Sequence, residues 1–105
     1  MHPPFEVLAE PNRRRILDLL RVADLPVGDL VQRLTVSQPA VSKHLRILRD
    51  AGLVEVRSDA QRRIYRLRPG PLQALDLWLA PYRQLWAARL DLLEQHLEAM
   101  PDNDT

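Results

Sequence analysis

The segment "SQPAVSKHLRILRDAGLV", residues 37–54, sets Ser37, Gln38, Ser42, Lys43, Arg46 and Arg49 among regularly spaced apolar residues. Hydroxyl and amide side chains exchange hydrogen bonds with base edges and phosphates, and Lys and Arg neutralise anionic oxygens, so the set suits an anionic, polar surface. It suits catalysis poorly. Ser42 and His44 are two residues apart, which on a helix turns them away from one another as nucleophile and base. Gly28, Gly52 and Gly70 form neither a phosphate loop nor a dinucleotide fingerprint. The chain has no cysteine, which excludes disulfides, thiol catalysis and thiolate metal sites. No enzymatic activity, no cofactor and no metal are expected.

The same segment carries the signals of one amphipathic helix. Ser37 suits the N-cap, Pro39 the first turn and Gly52 the stop, while Val41, Leu45 and Leu48 recur on one face. Gln38, Ser42, Lys43, Arg46 and Arg49 then take the other face. Upstream, Phe5 to Ala9 suggest a short helix. Pro11 opens a second with Ile16, Leu17, Leu19 and Leu20 inside, and Pro26 opens a third that ends near Thr35. After Gly52 the period falls to two. Val54, Val56, Ile64 and Tyr65 flank the turn-like "SDAQ", which predicts two short antiparallel strands.

From Pro71, the residues Leu72, Leu75, Leu79, Tyr82, Trp86, Leu90, Leu93, Leu97 and Met100 keep a helical spacing. Pro81 is expected to kink this helix or divide it into a short and a longer piece. So long an apolar stripe in a chain of 105 residues calls for a second copy to cover it. Trp78, Tyr82 and Trp86 are read as interface rather than as an effector pocket. Residues 1–100 form one domain on this reading, and 101–105 ("PDNDT") a flexible tail.

Charge is segregated. Residues 33–68 hold nine of the fifteen Lys and Arg residues against three of the fourteen acids, although the whole chain is only +1. A polyanion would bind there first. No apolar run approaches the ~18 residues of a membrane span and no signal peptide opens the chain, so no membrane partner is expected and the cytoplasm is the default.

Two helices joined by "TVS", followed by a basic hairpin, make a winged helix-turn-helix. The pattern fits B-DNA, whose major groove admits one helix while flanking cations meet phosphates. The blocks "LAEPNRRRILDLL", "LPVGDLVQRLTVSQPAVSKHLRILRDAGLVEVR", "RRIYRL" and "WLAPYRQLWAARLDLLEQHL" resemble the ArsR-type winged-helix bacterial transcriptional regulators over nearly the whole chain. The resemblance implies a mainly α fold with a two-stranded β wing and a long C-terminal dimerisation helix. It also implies a homodimeric, sequence-specific repressor on a two-fold symmetric double-stranded DNA operator, usually released by an effector.

Carried over by position, Ser37, Gln38, Ser42, Lys43, His44 and Arg46 match the recognition helix, and Arg57, Arg62 and Arg63 the wing. The dimer interface would take Phe5, Leu79, Tyr82, Trp86, Leu90, Leu93 and Leu97. For His44, a phosphate contact is favoured over packing as a half-buried histidine. The run Arg13 to Arg15 is read as a solvated helix face.

Two features depart from the metal-sensing members. "LPVGDL" has no cysteine pair, and the last helix offers one histidine, His96, beside Asp91, Glu94 and Glu98. The wing tip "DAQRR" also lacks the usual glycine. A protein-interaction module docking an acidic partner surface is the rival reading, and sequence preference among DNA duplexes separates the two.

Overall fold

The computed structural model describes residues 4–99, so the expected tail lies outside the described residues. In chain order the elements are α1 (Phe5–Ala9), α2 (Pro11–Val22), β1 (Leu25–Pro26), α3 (Val27–Arg33), α4 (Gln38–Asp50), β2 (Val54–Asp59), β3 (Arg62–Leu67) and α5 (Gly70–Ala99). The chain divides into two units at Leu75–Asp76. The first holds the hydrophobic core. Ile16, Leu17 and Leu20 of α2, Leu30 of α3, and Val41, Leu45 and Leu48 of α4 meet there with Leu53, Val54 and Tyr65.

Local chemistry sets the helix ends. Glu10 caps α2 by accepting from the Arg13 N–H at 3.1 Å, and Ser37 Oγ accepts from the Ala40 N–H at 3.4 Å to open α4. At the far end of α4 the Gly52 N–H donates to Arg49 O and the Leu53 N–H to Leu48 O, with Gly52 at φ +77°. This paired return satisfies the last carbonyls and drops Leu53 into the core beside Leu48.

The arginine run after Pro11 has a role beyond a solvated face. Arg13 donates to the carbonyls of Val7 and Glu6, and Arg14 to those of Leu8 and Ala9. Two guanidinium groups thus satisfy the open carbonyls of the five-residue α1, where positive charge also suits the helix dipole.

The expected two-stranded wing gains a third strand. Order in the sheet is β1-β3-β2, all antiparallel, with Leu25 opposite Tyr65 and Pro26 opposite Ile64. Two residues are too few to display a period of two, and Pro26 also reads as a helix start. At the tip, Ala60 and Gln61 join β2 to β3 without glycine, and Ala60 takes φ +57°. A left-handed conformation costs a side-chain-bearing residue ~1–2 kcal/mol, against the ~0.4–1 kcal/mol that glycine loses through its freer unfolded chain. Ala60→Gly is therefore expected to stabilise the protein by ~0.5 kcal/mol, read as a higher urea midpoint at unchanged slope; the β-branched Ala60→Val is expected to lower it.

Of the two outcomes expected at Pro81, a kink or a division, the division is absent: α5 is one helix of 30 residues with Pro81 inside it. Proline removes the N–H that Leu77 O would otherwise receive. Near that gap, Arg83 reaches back to donate to the Asp76 carbonyl at 3.1 Å and to its carboxylate. None of the described residues of α5 is buried.

Candidate nucleic-acid interface

Helix α4 is two-faced. Its inward stripe of Val41, Leu45 and Leu48 is at most 1% exposed, which fixes the rotation of the helix about its axis. Gln38, Ser42, Lys43, Arg46 and Arg49 are all exposed, as is Ser37 at the cap. The N-terminal turn carries only Gln38, Pro39 and Ala40, small enough in bulk to let the helix end approach another surface closely.

A cleft of about 740 Å³ lies between α4 and the hairpin. It is lined by Ser42, Lys43, Arg46, Arg49 and Asp50 from the helix and by Arg63 and Tyr65 from β3. Among the described residues, Lys43, Arg46, Arg49 and Arg63 enter no ion pair. Other arginines of the same basic segment are neutralised internally. Arg57 pairs with Asp24 at 3.0 Å, and Arg66 and Arg68 both approach Glu55 at 3.8 Å. Four cations outside any ion pair therefore outnumber the one acid, Asp50, around this concavity, which suits a polyanion.

Strand alternation separates the three wing arginines. Val54 and Val56 share a face with their cross-strand partners Leu67 and Tyr65, and Ser58 opposite Arg63 continues that face toward the tip. Arg57, opposite Ile64, and Arg62, opposite Asp59, fall on the other face. Only Arg63 of the three lines the cleft with α4.

His44 does not join the outward set. It stands three residues after Val41 and four before Leu48, on the margin of the buried stripe, and its side chain is 15% exposed. Nε2 lies 3.7 Å from Glu10 Oε2 across the seam to α2, and Nδ1 is buried with no hydrogen-bond partner among the described residues. This is the packed, half-buried arrangement weighed against the phosphate contact. Arg49, expected on the outward face of α4 though not among the residues matched to the recognition helix, lines the cleft. Its spacing was the available signal, three residues after Arg46 and seven after Ser42.

The second unit presents apolar side chains outward. Tyr82, Trp86, Leu90, Leu93 and Leu97 are exposed, Trp86 by 52% and Leu90 by 65%, and Leu79 is half-buried. Leu77, Leu85 and Leu92, outside the expected stripe, are exposed as well. In the first unit Phe5 of α1 is half exposed. Asp91, Glu94, His96 and Glu98 are all exposed, and among the described residues no three potential metal ligands converge. No helix among the described residues is long and apolar enough to cross a membrane.

Comparisons with known proteins agree with this geometry. Residues 10–56 match the family described as bacterial regulatory protein, arsR family. The chain is 34% identical over 79 residues to the transcriptional repressor SdpR of Bacillus subtilis, a match covering 75% of this chain and 88% of that protein. It is 40% identical over 71 residues to the transcriptional activator HlyU of Vibrio cholerae, covering 68% of this chain and 66% of the relative. The crystal structure of a possible transcriptional regulator for arsenical resistance superposes with a TM-score of 0.69 at 38% identity, covering 96% of this chain and all of the other.

Proposed function

The chain belongs to the ArsR family of bacterial regulatory proteins and is a DNA-binding transcriptional regulator; from that premise we propose how it reads DNA. A homodimer binds a two-fold symmetric operator as a repressor in the cytoplasm, one α4 entering each of two major grooves about 34 Å apart. Gln38, near the start of α4, pairs with adenine and Arg46 with guanine, the two side chains whose hydrogen-bond geometry matches those bases. Ser37, Ser42 and Lys43 contact phosphate or polar edges. Arg63 and Arg49 bring charge from the two walls of the cleft, and Arg62 adds charge at the tip.

The exposed apolar residues of α5 named above, with Leu79, are in this reading covered by the second copy, to which Phe5 of α1 also contributes. The observation that carries the reading is the gathering of unpaired Lys43, Arg46, Arg49 and Arg63 around one cleft beside the capped start of α4.

The test compares two variants by fluorescence anisotropy on a duplex selected by the protein and on a shuffled duplex, over a range of salt. Gln38→Ala is expected to cost ~1–3 kcal/mol on the selected duplex and to relax base preference. Arg63→Ala is expected to weaken both duplexes alike and to reduce the salt slope by about one. Equal losses on both duplexes for Gln38→Ala would remove its base-reading role.

A further inference from the structure

The wing carries one ion pair that joins the two sides of its sheet. Strands β1 and β2 lie on either side of β3, Asp24 immediately precedes β1, and Arg57 sits in β2. The Arg57 Nη1 donates to Asp24 Oδ2 at 3.0 Å, so the pair spans the width of the sheet. The tie it reinforces is short. Strand β1 meets β3 at two register positions only, and one of these is Pro26, which has no N–H to donate. Arg57 also stands on the face opposite Arg63, away from the cleft that gathers the unpaired cations.

We propose that Arg57 is a positioning residue rather than a phosphate contact: held by Asp24, it fixes the hairpin so that Arg63, on the other face, stays over the cleft beside α4. The inference deepens the DNA-binding reading and rests on it for its binding arm. A solvent-exposed pair holds a geometry by about 1 kcal/mol at most, a factor of about five, so the effect is on the precision of the wing and not on the fold.

Two measurements on the full chain test this. In the free protein, amide exchange at residues 58–63 is expected to be about three- to fivefold faster in Asp24→Asn and in Arg57→Ala, and to return to the parent rate when Asp24→Arg is combined with Arg57→Asp. On the selected duplex, each single variant is expected to bind about three- to fivefold more weakly with the parent's salt slope retained, and the exchanged pair to recover.

A fall of about one in the salt slope of Arg57→Ala would overturn the proposal, since it marks a lost phosphate contact. Tighter binding of all DNA by Asp24→Asn would overturn it too, by showing that Asp24 shields Arg57 from phosphate. Unchanged exchange in both single variants would equally remove the tie. If exchange responds as expected but the parent protein shows no preference among duplexes, the sequence-specific reading of DNA fails and the tie within the sheet stands.

Discussion

Introducing Trp86→Glu together with Leu90→Glu is expected to yield a folded monomer whose operator affinity is lower by at least about 100-fold. The two positions lie four apart on α5 and share one face. Neither side chain belongs to the buried core, which leaves the first unit its packing. In a dimer contact, two carboxylates would enter an apolar surface without partners, at a cost of several kcal/mol. Loss of the dimer makes the two half-sites independent binding events and discards the effective concentration that joins them. Sedimentation velocity reads the association state, far-UV circular dichroism the fold, and anisotropy the affinity. A variant that stays dimeric at micromolar concentration would place the interface elsewhere.

Adjacent residues of α4 should part company just as sharply. Leu45 is 1% exposed within the cluster that includes Ile16, Leu30 and Leu48, so Leu45→Ala is expected to cost ~2–5 kcal/mol of stability. That is a large part of the ~5–15 kcal/mol typical of a domain. Arg46, the next residue, is exposed and enters no ion pair among the described residues, so Arg46→Ala is expected to stay within ~0.5 kcal/mol of the parent in stability. On the selected duplex it should nevertheless lose ~1–3 kcal/mol of affinity. Urea titration and anisotropy on both variants check the contrast. A destabilised Arg46→Ala protein with unchanged DNA affinity would reverse the assignment of the two faces.

Helix α4 was legible in the sequence because its start, stop and buried stripe all rest on local chemistry: Ser37 accepting a backbone hydrogen bond, Gly52 tolerating a positive φ, and apolar residues at helical spacing. Features fixed by chain return were harder to read. Strand β1 is two residues long and exists only because β3 lies beside it. Arg13 and Arg14 cap α1 because the chain folds back after Glu10 and brings their guanidinium groups to carbonyls five to seven residues earlier. Composition alone shows only three adjacent cations.

The candidate site divides in the same way. The outward face of α4 follows from periodicity, whereas the wing arginines sort by face only once the register of β2 on β3 is known. That register puts Arg63 opposite Ser58 and Arg57 opposite Ile64. His44 sits on the boundary of the stripe, and the acid that faces it, Glu10, lies thirty-four positions earlier in the sequence. Pro81 left two outcomes open, a kink or a division, and the helix is not divided. Proline costs a helix one hydrogen bond, which a helix of 30 residues can lose while continuing.

The central claim is that α4 reads a particular DNA sequence on behalf of a symmetric pair of chains. Its most direct measurement is selection of bound duplexes from a random-sequence library by the purified protein at physiological salt, followed by sequencing. The account predicts enrichment of an inverted repeat whose half-sites are centred about one helical turn apart, bound ~1,000-fold more tightly than shuffled DNA. A pool that binds but converges on no sequence would contradict it, because phosphate attraction alone would then account for the interaction.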